Sequence, residues 1–250
     1  MTFTTHLLPP PSPSPSSNPK FTLPTATTPN PPTNPRLLTD ALTIRQTVFI
    51  DEQHCSAAEE IDADDGRSWH WVVYHSPDAP STGTNTTDRE SSPPDAKEGR
   101  RTPVATIRLV PPPNVHSPHP NHGPHHNGSE HAAEQEPEPY IKLTRVAVLR
   151  EYRGYGLGRA VVETALAWAR EHAREIDEAA GAWAVATASA EKDGGEVVAR
   201  PVWNGLVLVH AQTQVEKMYE RCGFVTDEGM GRWDENEIEH LGMWRRLVLE

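Results

Sequence analysis

Ile141-Lys-Leu-Thr-Arg-Val-Ala-Val-Leu149, with Arg153-Gly-Tyr-Gly-Leu-Gly158 close behind it, is the stretch of sequence that decides the fold. The nearly continuous apolar run predicts a central strand, buried on both faces. An apolar stripe at helical spacing follows the glycines and predicts an amphipathic helix to about residue 176: Leu157, Val161, Ala165 and Trp168. The core of the fold is therefore expected to be strand, glycine-rich loop and helix.

The glycine-rich loop is typical of a phosphate site. Glycines let the backbone approach a ligand closely, and the helix N-terminus adds a positive dipole, so a phosphate or pyrophosphate is expected there. A P-loop would need Gly-Lys-Ser/Thr at its end, but Arg159-Ala160 follows. The dinucleotide fingerprint G-x-G-x-x-G fails too, because its last glycine would fall on Arg159 or Val161.

The remaining pattern predicts a mixed α/β fold around this core. Asp40 is the expected N-cap of a first helix over about 40–50. Residues 177–203 are expected to form a long connection, and Gly223 is expected to end a short helix. Strands are expected at six further places, the first of them a short edge strand: 21–23, 69–74, 104–110, 205–210, 224–225 and 243–249. The expected fold class is a central mixed, mostly antiparallel sheet of about six to seven strands flanked by helices.

Proline is distributed very unevenly. Of 25 prolines, 24 precede residue 140. Residues 1–19 are expected to be a disordered Pro/Ser-rich tail, and disordered insertions are expected near 77–102 and 111–139. A single folded domain is therefore expected over residues 20–250, interrupted by these two insertions.

Charge and cysteine content narrow the classes of function. The net charge of −12 argues against a nucleic-acid or membrane partner and suits an amine substrate. Two cysteines cannot build a disulfide framework and suit a reducing compartment, so the cytoplasm, with the nucleus as alternative, is expected. No apolar run of membrane-spanning length is present.

One proline-rich tract contains six histidines: His116, His119, His122, His125, His126 and His131. Imidazoles suit zinc or copper. Ordering a flexible tract without cysteine around a metal would cost much conformational entropy, however, so we expect no bound metal.

The motif R-x-x-G-x-G at residues 153–158 resembles the GNAT family of acetyl-CoA-dependent N-acyltransferases. The resemblance extends to Leu143-Thr-Arg-Val-Ala-Val148, His210-Ala211-Gln212 and Tyr219-Glu-Arg-Cys-Gly-Phe224. The segments 48–53 and 234–243 look like the ElaA-like and YjcF-like branch, here a fungal type with proline-rich insertions.

The resemblance implies a set of positions for acetyl-CoA. The loop amides would hold the pyrophosphate, and the preceding strand would offer main-chain groups to the pantetheine arm. The implied cofactor residues are Val146, Ala147, Val148, Arg153, Gly154, Tyr155, Gly156, Leu157, Gly158, Gln212 and Tyr219.

The implied reaction is direct acyl transfer from a thioester to an amine, which raises two proton problems. The amine must lose a proton before it attacks, and the leaving thiolate must gain one. Tyr219 occupies the family's general-acid position, although it also fits a core tyrosine. The candidates for the base are Glu60, Asp62, His70 and His240, with a solvated charge run as the alternative for the two acids and a structural role as the alternative for the two histidines.

The acceptor is expected to be a primary amine of a small metabolite, either an amino sugar such as glucosamine or a polyamine. Two alternatives stay open: a protein lysine or N-terminal acetyltransferase, and a CoA-binding module without catalysis.

Overall fold

The computed structural model describes residues 1–11, 20–77, 101–114, 138–190 and 202–250. The strands are β1 (Thr2–Leu8), β2 (Trp69–Ser76), β3 (Thr102–Val110), β4 (Ile141–Val148), β5 (Leu206–Gln212), β6 (Val225–Thr226), β7 (Arg232–Glu235) and β8 (Ile238–Arg246). The helices are α1 (Arg36–Arg45), α2 (Ala57–Glu60), α3 (Leu157–Glu171), α4 (Ala173–Ala190) and α5 (Glu216–Arg221). A π-helical segment, Gln46–Glu52, prolongs α1.

These strands form one open sheet in the order β1-β2-β3-β4-β5-β8-β6, with β7 also paired to β8. Of the pairings among the described strands, β4 with β5 is parallel and the others are antiparallel. The predicted fold class is confirmed, with eight strands among the described residues instead of the expected six or seven. No helix among the described residues is long and apolar enough to cross a membrane.

The sheet has two covered faces. On the α3 face, the α3 residues Val161 and Ala165 share a core with Ile141 and Leu143 of β4. On the α1 face, Ile44 and Val48 pack against Ala147. Side chains alternate along a strand, so Lys142 and Thr144 lie on the α1 face.

Several local predictions are confirmed. The strands expected at 69–74 and 104–110 are present as β2 and β3, each two residues longer at one end. Gly223 follows α5 with φ 77°, the left-handed conformation expected just after a helix.

Other local predictions are wrong. Residues 2–8 of the expected tail form β1, whose β-branched threonines suit an edge strand. Residues 21–23 form no strand. The first helix begins at Arg36 after Pro35, since the fixed φ of proline suits a helix start, and Asp40 accepts a hydrogen bond from Tyr74 instead of capping.

The C-terminal half holds two more differences. Residues 177–190 belong to helix α4 and not to a connection, in keeping with the high helix propensity of alanine. A tight turn between β7 and β8 is formed by Asn236 and Glu237, which both have positive φ. The last strand, β8, therefore begins at Ile238 and not at residue 243, and β7 pairs with it. The expected insertions fall mainly on 78–100 and 115–137, outside the described residues, as do the six histidines.

Candidate active site

Strands β4 and β5 diverge in the middle of the sheet. Their pairing covers three positions, from Ile141 opposite Val207 to Leu143 opposite Val209, and both strands continue beyond it. From Thr144 to Val148, the β4 backbone has no strand partner on the β5 side among the described residues. Unpaired strand edges are ready-made binding sites for amide and carbonyl groups.

A β-bulge lies at the point of divergence. Between Thr106 and Arg108, β3 advances two residues while β4 advances three, from Ala147 to Thr144. The extra residue is accommodated around Arg145, whose φ is 54°. Such a bulge re-aims the following backbone groups, here those of Val146 to Val148.

The glycine-rich loop lies at the far end of the opened strand. Gly154 has φ 87° and Gly156, the N-cap of α3, has φ 76°. A Cβ built on either glycine meets no described atom within 4 Å, so both face open space. A left-handed backbone in front of the N-terminus of a 15-residue helix forms a cradle that suits pyrophosphate.

These elements enclose a cleft of about 940 Å³. Of the predicted residues, the following line it: Val146, Ala147, Val148, Arg153, Gly154, Gly156, Leu157, Gly158, Gln212, Tyr219, Glu60 and His240. Tyr155 and Asp62 are not among the lining residues. The cleft suits an extended ligand with a pyrophosphate at the loop and amides along β4, which is the chemistry of acetyl-CoA.

Tyr155 was predicted to be a cofactor residue, but it does not line the cleft. Its side chain is 53% exposed, and its ring lies 6.2 Å from that of Phe3 in β1. The tyrosine ring therefore packs toward β1 and away from the cleft.

Three arginines that line the cleft were not predicted as site residues: Arg145 at the bulge, Arg159 and Arg221. Arg159 follows the loop and forms a hydrogen bond with Glu163 at 2.7 Å, and Arg221 lies exposed at the end of α5. The position of Arg159, directly after the last loop glycine, was the signal that could have pointed to a phosphate contact. Arg159 and Arg221 add positive charge at the phosphate end of the cleft.

Tyr219 lies in α5 with 5% of its surface exposed, and its ring contacts Phe224 edge to face. Its hydroxyl makes no hydrogen bond to any of the described residues. Burial, with the nearby Cys222 as a smaller cause, raises the pKa of Tyr219. The hydroxyl therefore stays protonated at neutral pH and is available as a donor on the cleft wall.

The acidic loop, residues 59–65, starts in the last turn of α2 and takes part in a buried ionic network. Arg45 donates hydrogen bonds to Glu60 and, at 2.6 Å, to Asp65. Arg108 donates two hydrogen bonds to Asp62, at 2.6 and 2.8 Å. The carboxylates of this loop therefore neutralise guanidinium groups.

This network corrects the prediction for Asp62. Burial would raise the pKa of Asp62, but the charge and hydrogen bonds of Arg108 outweigh it and the net shift is downward. A carboxylate held in this way is a weak base, so we assign Asp62 to holding Arg108. Glu60 does line the cleft, yet it accepts from Arg45 and lies 3.3 Å from Nε of Arg145.

His240 has a different environment. Its Nδ1 lies 2.8 Å from the carbonyl oxygen of Ile238, and because a carbonyl only accepts, Nδ1 carries the proton. In the neutral ring, Nε2 then holds a lone pair, and it has no hydrogen-bond partner among the residues that the structure describes. His240 is thus the predicted residue whose geometry best suits a base.

A pair of amides crosses the opening on the α1 face. Gln212 Nε2 donates to Gln53 Oε1 at 3.0 Å, and Gln53 Nε2 lies 3.4 Å from Gln212 Oε1. Gln53 follows the π-helical segment and Gln212 ends β5, so this pair joins the two sides of the cleft. Gln53 was not predicted, because 159 residues separate it from its partner.

His70 does not line the cleft. It is buried in β2, and its Nε2 lies 2.9 Å from the carbonyl oxygen of Asp65. Burial lowers the pKa of His70 to about 4, so the ring stays neutral. It serves the packing of the acidic loop.

Residues 58–190, just over half of the chain, match the family model described as the acetyltransferase (GNAT) family. No curated protein matches significantly. Solved structures that match include a protein from Lactobacillus plantarum (18% identity, 99% of this chain and 100% of that one, TM-score 0.48). An acyl-CoA N-acyltransferase from Pseudomonas aeruginosa also matches (18% identity, 98% of this chain and 99% of that one, TM-score 0.47). So does ElaA from Escherichia coli (16% identity, 98% of this chain and 100% of that one, TM-score 0.45). At these values the likenesses say nothing about the acceptor.

Proposed function

The chain belongs to the GNAT family of acetyltransferases with acetyl-CoA as acyl donor, and on that premise we propose that it transfers the acetyl group directly to a primary amine of a small metabolite. The observation that carries the proposal is the divergence of β4 and β5 over a cleft that reaches from the glycine-rich loop to the α1 face. Acetyl-CoA supplies the activated acyl group, and every other requirement falls on residues of this chain.

The β4 backbone would position the acyl group. Beyond the bulge at Arg145, the edge of β4 from Val146 to Val148 that faces the opening has no strand partner among the described residues, although the Val148 carbonyl accepts a hydrogen bond from Arg153. An amide N–H fixed there would stabilise negative charge on the carbonyl oxygen at no cost of reorganisation. Gly154 to Gly158 would hold the pyrophosphate.

Tyr219 and His240 would divide the two proton transfers. The protonated, otherwise unbonded hydroxyl of Tyr219 would supply the proton to the leaving thiolate. The Nε2 lone pair of His240, set by the carbonyl of Ile238, would take the proton from the amine, directly or through water. Glu60 remains a weaker candidate, because Arg45 already holds its carboxylate.

The amide pair of Gln53 and Gln212 supports a small acceptor. It bridges the opening on the α1 face and leaves less room for an extended peptide. Amino sugars such as glucosamine, or polyamines, are the proposed classes. A protein lysine or N-terminus is the alternative acceptor, and a non-catalytic CoA-binding module is the alternative of another class.

We expect thiol release from acetyl-CoA to depend on the amine when glucosamine or spermine is supplied, and a lysine-containing peptide to give none. The free thiol is measured with a colorimetric reagent against an amine-free blank. The variant His240→Gln should release thiol about 10²- to 10⁴-fold more slowly, whereas His6→Gln, on the edge strand, should match the wild type. Release with the peptide alone would favour the protein acetyltransferase, and CoA binding without any release would favour the non-catalytic module.

The finer classification is also proposed. The segments 48–53 and 234–243 support the ElaA-like and YjcF-like branch, with the proline-rich stretches as insertions in one domain that includes β1 as well as residues 20–250. The free thiols of Cys55 and Cys222 support a reducing compartment such as the cytoplasm.

A further inference from the structure

Lys142 stands apart from the other cationic side chains near the acceptor end of the cleft. The guanidinium groups of Arg45, Arg108 and Arg145 all pair with carboxylates of the acidic loop. Lys142 lines the cleft and is mostly buried, but it makes neither a hydrogen bond nor an ion pair with any residue in the described ranges. A cation taken from water without a partner costs free energy, so its retention calls for a function.

The position of Lys142 places it on the acceptor side. Lys142 is the second of the three β4 residues that pair with β5, opposite Leu208, and the two strands diverge after Leu143. Its side chain lies on the α1 face, because Ile141 and Leu143 on either side of it face the α3 core. It is therefore beside the opening through which an amine would approach.

The phosphates of CoA would lie too far from Lys142 to be the partner of its ammonium group. Lys142 is six residues before Val148, about 20 Å along a strand, and the glycine-rich loop lies beyond Val148. The phosphate end of the cleft has its own cations in Arg153, Arg159 and Arg221. The group that meets Lys142 must come from the acceptor.

The same end of the cleft also offers negative charge. Glu59 and Glu235 line it, both exposed, and neither side chain has an ion-pair partner among the described residues. Burial lowers the pKa of Lys142 to about 8, with Glu235 opposing the shift, so the ammonium is still charged at pH 7. Near Lys142 the cleft thus presents, among its described residues, a mostly buried cation and two exposed carboxylates, none of which has an ion-pair partner there.

We propose that Lys142 binds an anionic group of the acceptor, so that the substrate is a small primary amine that also carries a carboxylate or a phosphate. The exposed carboxylates would attract the ammonium end, and Lys142 would take the other end. This inference rests on the proposed function and narrows it, since it favours an anionic amine over a polyamine.

Matched pairs of amines test the inference. Ornithine differs from putrescine by a carboxylate, and glucosamine 6-phosphate differs from glucosamine by a phosphate. The wild type should prefer the anionic member of at least one pair by about tenfold or more in kcat/KM, and the pair that responds identifies the anion. In Lys142→Met the preference should disappear through a higher KM for the member with the carboxylate or phosphate, while the KM of the member without it changes less than about twofold.

Two further variants separate specificity from structure. Lys142→Glu should reverse the preference toward the member that lacks the carboxylate or phosphate, and Lys217→Met, which removes an exposed lysine of α5, should leave the preference unchanged. Because Lys142→Met removes a mostly buried charge that has no ion-pair partner among the described residues, the Tm of this variant should rise by about 2–4 °C. Equal use of both members by the wild type and Lys142→Met would overturn the inference, as would acetylation of Lys142 itself detected by mass spectrometry.

Failure of the proposed function would be recognised separately. If no amine releases thiol, the Tm of the acetyl-CoA complex is measured with each pair. Stabilisation by the anionic member in the wild type but not in Lys142→Met would support the anion site while refuting the transferase proposal. Absence of that stabilisation would refute both.

Discussion

Replacing Gly156 with valine is expected to raise the dissociation constant for CoA about 100-fold or more, equivalent to about 2.8 kcal/mol. Gly156 caps α3 at φ 76°, and its missing Cβ faces open space in the cleft. A β-branched side chain would both resist this conformation and fill the space where the pyrophosphate is expected. Isothermal titration with CoA measures the effect.

Gly231 supplies the matched control. Its φ is 65° and a Cβ there also meets nothing within 4 Å, but it does not line the cleft. Gly231→Val should therefore carry a similar backbone cost, about 1–2 kcal/mol, and bind CoA like the wild type. Equal CoA affinity in Gly156→Val and Gly231→Val would refute the loop as the phosphate cradle.

Tyr219→Phe is expected to lower kcat about 10²- to 10⁴-fold while CoA binding persists. The phenyl ring keeps the contact with Phe224, and only the proton donor is lost. Because the hydroxyl has no hydrogen-bond partner among the described residues, its removal should leave the Tm unchanged or slightly higher. Steady-state kinetics and thermal unfolding of the same preparation report both quantities.

Tyr74→Phe has the opposite profile and serves as its control. The Tyr74 hydroxyl donates to Asp40 at 2.7 Å and does not line the cleft. Its loss should cost about 1.5–3 kcal/mol of stability and leave kcat near the wild-type value. Full turnover by Tyr219→Phe would show that Tyr219 is only a core residue.

What the sequence predicted well is local. The glycines at 154 and 156, the apolar run before them and the helical stripe after them are neighbours in the chain, so spacing alone predicts strand, loop and helix. Most loop residues then fall on the cleft wall. The side chain of Tyr155 differs, because its direction depends on Phe3, which lies some 150 residues earlier in a segment whose prolines indicated disorder.

What the sequence could not predict depends on distant partners. Asp62 and Glu60 look like free carboxylates until Arg108 and Arg45 are brought against them. The tautomer of His240 depends on a turn at Asn236 and Glu237 that lacks the usual glycine. Helix α4 is a different case, since its alanines already favoured a helix by propensity.

The central claim is that acetyl-CoA occupies the opening between β4 and β5, and amide hydrogen exchange tests it most directly. Addition of acetyl-CoA should slow exchange in residues 144–148 and 153–158 and leave β1 at residues 2–8 unaffected. Mass spectrometry of peptides from these segments gives the comparison. Protection elsewhere, with unchanged exchange in 144–148 and 153–158, would contradict the account.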